Sequence, residues 1–238
     1  MTNPDAIVIT GIGAVTPIGQ TAEGLWRGAL SGKSAVRRVT RFDPSPFISH
    51  TAAEINDFDP TIYLDAKQIR RLDRYSQFAV ACATQALEDA NLDQGDVPSD
   101  RVGVCLGTAL GGIGYAEEQH LNYIERGLKA VSPMLALTIF AGAGSCNIAI
   151  EFGFSGPASA NGDSCASGPI ALGNAFQTAP IRIVENCSTW DNLSWCDLSI
   201  HKCNLFRFEL VVGRSLNDSL FPLPLCFSEL LDVGTSLT

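Results

Sequence analysis

Gly156-Pro-Ala-Ser-Ala-Asn161-Gly-Asp-Ser-Cys165-Ala-Ser-Gly168-Pro-Ile-Ala-Leu-Gly-Asn-Ala-Phe176 falls into three parts: an extended run of small residues, a turn, and a helix. The helix reading rests on Ile170, Leu172, Ala175 and Phe176, which recur at helical spacing. Cys165 therefore lies where a strand turns into a helix. A helix N-terminus presents unpaired N–H groups and about half a positive charge, which favours thiolate over thiol at that position. The same N–H groups could hold an oxyanion. The competing reading makes Cys165 an inert, buried small residue, as free cysteines usually are.

The same strand-then-helix phrase recurs on the N-terminal side. Ala6-Ile-Val-Ile-Thr10 is a short β-rich run that ends at Gly11-Ile-Gly13, where a tight turn is expected. Thr21 to Leu30 reads as a helix with Thr21 as N-cap. Phe42 to Asp59 is interrupted by Pro44 and Pro46, has Pro60 at its end, and reads as a long surface connection. Ala66 to Ala90 has the clearest helical period, through Ile69, Leu72, Tyr75, Ala79, Cys82, Ala83, Ala86 and Leu87. Val102 to Leu106 is a second buried strand, followed by Gly107-Thr-Ala-Leu-Gly-Gly112. Helical patterns return at Tyr115 to Arg126 and at Leu135 to Phe152. Strands alternating with helices specify an α/β fold with a mainly parallel sheet covered on both faces. Cys82, Cys105 and Cys146 fall on apolar positions and read as core.

Composition narrows the function. A net charge of −9 argues against nucleic acid as a partner, because phosphate contacts need clustered Lys and Arg. The one basic cluster, Lys67 to Arg74, alternates with apolar residues and reads as the solvated face of a helix. It is one candidate patch for an acidic partner. The N-terminus lacks the features of a signal peptide, and no apolar run approaches the roughly 20 residues of a membrane span. No CxxC pair occurs among the eight cysteines, so structural zinc is not expected; a cofactor is not expected either. Neither glycine-rich run matches a dinucleotide or P-loop pattern. A reducing cytoplasm is the expected compartment.

Composition changes sharply after Thr178. From Pro180 to Thr238 there is no alanine, and the glycines are Gly213 and Gly234 alone. Ile181 to Val184 and Phe206 to Val212 could be strands, but nothing long is amphipathic. The chain thus divides into residues 1–178, an organised α/β segment, and residues 179–238, an aberrant tail. A frameshift or an appended small domain would account for that tail.

Several motifs in residues 5 to about 178 occur together in one family. These are Ile9-Thr-Gly-Ile-Gly13, Thr16-Pro-Ile-Gly19, Arg70-Arg-Leu-Asp-Arg-Tyr75, Gly107-Thr-Ala-Leu-Gly-Gly112, Ser132-Pro133, Gly156-Pro157 and Asp163-Ser-Cys-Ala-Ser-Gly168. In this order and at these intervals the chain resembles the N-terminal part of β-ketoacyl-acyl carrier protein synthases of the elongating, type II kind. The resemblance implies the N-terminal part of a thiolase-like fold, left incomplete, and a homodimer. It places the acyl-accepting nucleophile on Cys165, with acyl carrier protein as partner, in decarboxylative condensation with malonyl carrier in fatty-acid or polyketide synthesis.

The family's histidines lie in motifs of the type His-Gly-Thr and Gly-His, and this sequence carries neither. His50 and His120 precede Cys165, and His201 sits in Ser199-Ile-His-Lys-Cys203. The resemblance therefore implies a polypeptide inactive in condensation by itself. The alternative is a non-catalytic synthase fragment that acts as a dimerisation partner or is an unstable product. A Gly-Asp-Ser serine-protease reading of residues 162–164 conflicts with the α/β pattern.

Overall fold

The computed structural model describes residues 7–178 and two further backbone strands, residues 182–187 and 208–214. The chain opens with β1 (Ile7–Ala14) and α1 (Ala22–Leu30), followed by a small antiparallel pair, β2 (Arg37–Arg38) with β3 (Thr51–Ala52). Next come α2 (Ala66–Ile69), α3 (Arg74–Asp89), β4 (Val102–Gly107), α4 (Ile113–Arg126), α5 (Leu135–Thr138) and α6 (Ala143–Phe152). The strand β5 (Ala158–Asn161) then leads into α7 (Ser167–Gln177). In the tail, β6 (Arg182–Cys187) and β7 (Phe208–Arg214) overlap the windows 181–184 and 206–212 and extend past the end of each.

The main sheet has the order β1-β7-β6-β4-β5. β6 and β5 both pair parallel to β4, whereas β7 runs antiparallel to both β6 and β1. Four of these five strands therefore share one direction, and β7 is reversed. Successive residues of β4 serve opposite faces. Val104 and Leu106 join a buried cluster with Tyr75, Ala79, Val80 and Ala83 of α3, while Cys105 packs with Ala171 and Ala175 of α7. This makes a layered α/β unit with α3 and α6 on one side and α7 on the other.

The helix expected over 66–90 is two helices. Asp65 opens α2 with a capping box shared with Gln68, and Asp73 restarts the chain as the N-cap of α3. One Asp73 oxygen accepts from Tyr75 N–H at 2.8 Å and the other from Tyr115 N–H at 3.1 Å, so a single buried carboxylate caps α3 and reaches the first turn of α4. Gln77 Nε2 donates to the carbonyls of Ile69 and Leu72, partnering groups freed by the break. Lys67, Arg70 and Arg71 are exposed, as a solvated basic face requires. Arg74 differs from that expectation. Its guanidinium lies 4.8 Å from the Phe78 ring centroid and donates to the Ile55 carbonyl.

The helix expected over 135–152 is also interrupted, between α5 and α6. Tyr75 fills the break: its hydroxyl accepts from Gly144 N–H at 2.5 Å and donates to the Ala141 carbonyl at 2.9 Å. Gly11 and Gly13 do not form the tight turn read from the sequence. Both lie inside β1, where a Cβ would stand 2.1 Å from the Ala86 carbonyl oxygen and 2.0 Å from that of Cys82. Their role is to let α3 lie directly on the strand. Register slips between Ile9 and Gly11, a bulge that re-phases β1. Ile7 to Ile9 thereby line a cleft with Pro169, Leu172 and Phe176, while Gly11 and Gly13 meet α3. Among the described residues, no helix is long and apolar enough to cross a membrane.

Candidate active site

The site grows out of the pairing of β4 with β5. Gly107, the last residue of β4, is opposite Asn161, the last residue of β5. The chain then tightens into a single 3-10 turn, Ser164–Ala166, and runs into α7. Cys165 occupies the centre of that turn and is exposed. Ser164, just before it, has φ +53, a left-handed conformation rare for a residue with a Cβ. The turn closes through Ala166 N–H to the Asp163 carbonyl at 3.1 Å and through Ser167 N–H to the Ser164 carbonyl.

The Gly107 to Gly112 loop forms the neighbouring wall. A Cβ on Gly107 would fall 2.3 Å from the Ser167 carbonyl oxygen, so that position admits no side chain. Thr108 N–H donates to the Asn161 carbonyl at 3.0 Å, and Thr108 Oγ1 accepts from Gly111 N–H at 3.1 Å. Gly111, at φ +56, supplies the reversal. The loop that follows one strand is thus bonded to the end of the next. The end of β5 leads into the Cys165 turn, and the loop runs on into α4.

An exposed thiol on a turn at the start of an eleven-residue helix can meet an electrophile arriving from solvent. Of the other cysteines whose side chains are described, two differ from it in exposure. Cys82 and Cys105 are buried, as expected. Cys146, read as core, is exposed. The reason is helical phase: α6 buries Ala143, Gly144, Ser145 and Ile148, and position 146 falls outside that stripe. His50 is exposed in the loop before β3 and His120 is exposed on α4, while His201 lies outside the described residues. Among the described residues no group of three His, Cys, Asp or Glu side chains is placed to hold a metal ion. The bracing role of Asn161 was missed in the sequence. An Asn before a Gly-Asp turn is a recognisable turn signal, but its distant partners are not legible there.

A layered, mainly parallel α/β sheet of this topology defines the thiolase-like class. Its solved neighbours are ketosynthases. One is the ishigamide ketosynthase/chain length factor, with TM-score 0.74 and 26% identity, covering 87% of this chain and 58% of that one. Another is a type II polyketide-synthase ketosynthase solved with its acyl-carrier protein and bound to the hexaketide. It superposes with TM-score 0.72 at 20% identity, covering 96% of this chain and 64% of that one. In sequence, the chain is 37% identical over 180 residues to 3-oxoacyl-[acyl-carrier-protein] synthase 2 of Synechocystis sp., covering 76% of this chain. Residues 4–179 match the β-ketoacyl synthase N-terminal domain, and the chain belongs to that family. It spans 41–43% of the length of these curated relatives.

Proposed function

We propose that Cys165 is the acyl acceptor of a β-ketoacyl synthase-type condensation in fatty-acid or polyketide synthesis. The observation that carries the reading is an exposed cysteine on a braced strand-to-helix turn, inside the segment that matches the family. The thiolate would attack the carbonyl carbon of a carrier thioester. The resulting oxyanion would collapse with expulsion of the carrier thiolate, which takes up a proton, leaving the acyl chain on Cys165 Sγ. Decarboxylation of a malonyl carrier would then supply the carbon nucleophile for the second half.

That second half needs donors for the developing enolate charge, and removing one such donor typically costs about 10²–10³ in rate. The polypeptide carries no His-Gly-Thr or Gly-His motif, so by itself it stops at acylation. Incubating the full chain with an acyl carrier thioester, followed by peptide-resolved mass spectrometry, should place the adduct on Cys165. No adduct there, or equal modification of Cys146, overturns the assignment. Turnover of radiolabelled malonyl carrier near that of an intact synthase would overturn the stop at acylation.

Exposed Lys67, Arg70 and Arg71 offer an acidic carrier its docking charges. A second reading, a non-catalytic dimerisation partner, is favoured by β5, which ends the sheet order with Ala158 and Ser159 exposed. Size-exclusion chromatography of the full chain tests it: a discrete soluble dimer supports the partner role, and a void-volume peak supports an unstable fragment. Residues 179–238 derive from a shifted reading frame. If another frame after the codon for Thr178 lacks the His-Gly-Thr and Gly-His motifs, that origin is refuted.

A further inference from the structure

The geometry points to Asn161 as the residue that positions Cys165, an inference that rests on the acyl-acceptor reading of that thiol. Asn161 makes three connections around the turn. Its backbone carbonyl accepts from Thr108 N–H at 3.0 Å, fixing the end of β5 to the Gly107 to Gly112 loop. Its side-chain oxygen accepts from Asp163 N–H at 3.3 Å, on the near side of Cys165. Its Nδ2 donates to the Ser167 carbonyl at 3.0 Å, on the far side. One amide therefore holds both ends of the five-residue arc whose midpoint is Cys165.

The arc has a reason to need holding. Ser164, inside it, sits at φ +53, where an L-residue relaxes once its surroundings stop specifying the conformation. The carbonyl that Asn161 grips is also the one seated 2.3 Å from where a Gly107 Cβ would lie. That contact fixes the height of the start of α7 against β4. Asn161 thus ties strand, turn and helix into one frame, and the Cys165 side chain is presented from its middle. The residue touches neither thiol nor substrate in this role; it acts through the backbone.

The full chain provides the test, with an octanoyl thioester of N-acetylcysteamine as acyl donor and peptide-resolved mass spectrometry as readout. Asn161→Ala should slow formation of the Cys165 thioester roughly tenfold, within what a displacement of about an ångström costs an aligned reaction. Iodoacetamide labelling of exposed Cys146 should be unchanged. Adding Ser164→Gly to Asn161→Ala should restore much of the rate, because glycine adopts the left-handed conformation without the Cβ penalty. A purely structural loss would not be rescued in that way. Equal rates for wild type and Asn161→Ala, or no rescue by the glycine, overturn the inference while leaving the role of Cys165 intact.

If the wild type forms no Cys165 thioester, the acyl-acceptor reading falls and this inference with it. If Asn161→Ala unfolds, exposing buried Cys82 and Cys105 to label, Asn161→Asp decides. It keeps an oxygen for Asp163 N–H but has no donor for the Ser167 carbonyl. An intermediate loss is expected, and a wild-type rate refutes the brace.

Discussion

On one side of the sheet α3 buries nine of its sixteen residues and two strand glycines admit its backbone at contact distance. On the other side α7 buries four of eleven, and Phe176 near its end is 62% exposed. The first face is a closed core with no room for a methyl group. The second is a helix resting on β4 and β6 beside an apolar cleft. Stability is concentrated where nothing has to enter. The thiol is carried by the turn that precedes the more open helix, a turn held by hydrogen bonds and not by deep burial. In this fold, the densest packing and the exposed thiol fall on different faces.

Large-to-small substitution should expose that difference most clearly. Phe78, 1% exposed and in edge contact with Phe58, should lose about 3–5 kcal/mol of unfolding free energy on replacement by Ala. Phe176→Ala should stay within about 0.5 kcal/mol. Urea denaturation of both variants checks the pair, and comparable losses would erase the distinction between the faces.

Glycine substitution probes the same contrast through the backbone. Gly13→Ala would drive a Cβ to 2.0 Å from the Cys82 carbonyl oxygen and should cost about 3 kcal/mol. Around Gly173, in the middle of α7, no atom of the described residues outside its own helix backbone and chain neighbours lies within 4 Å of the point a Cβ would occupy. Gly173→Ala should therefore raise stability by about 0.5–1 kcal/mol through helix propensity and the unfolded-chain entropy. Opposite signs in thermal melts are the expected outcome; equal signs would break the comparison.

The smallest effect belongs to neither face. Glu54, beside β3, is pushed up by partial burial, but hydrogen bonds from the Thr40 hydroxyl and N–H, Asn56 and Arg41 N–H outweigh that and hold its carboxyl below the ordinary range. A carboxylate depressed in the folded state contributes stability above its unfolded pKa and loses it as pH falls through the folded value. Glu54→Gln should accordingly lower the melting temperature slightly at neutral pH, with the gap to wild type closing in acid. A gap that persists there would show that the charge is not its source.

Local pattern made much of this legible. The strands at 102–107 and 158–161, the Thr21 cap and the helix after Cys165 agree with the sequence reading, and both tail strands overlap their windows. What escaped depends on atoms far along the chain. Gly11 and Gly13 look like turn glycines until α3, some seventy residues on, is seen lying on them. Asp73 sits within a continuous helical period, and only its bond to Tyr115 N–H, 42 residues away, shows that it also serves α4. Cys146 is apolar by type, yet the stripe that decides its exposure is set by where α6 meets α3. At the site, the cysteine was readable from its turn and the asparagine that frames it was not.

The strand order has a consequence for the history of each molecule as it is made. β1 is the first described strand to leave the ribosome, yet its sheet neighbour is β7, with Ile7 opposite Arg214. Until residues 182–214 have been synthesised, two strand widths and their spacings, about 14 Å, separate β1 from β4. A nascent chain ending at Thr178 could seat β1 on α3 but could not close the sheet. Closure joins the most distant partners in sequence last, the kind of contact that folds slowly. The two described strands of the tail, β6 and β7, thus convert a split scaffold into one continuous layer.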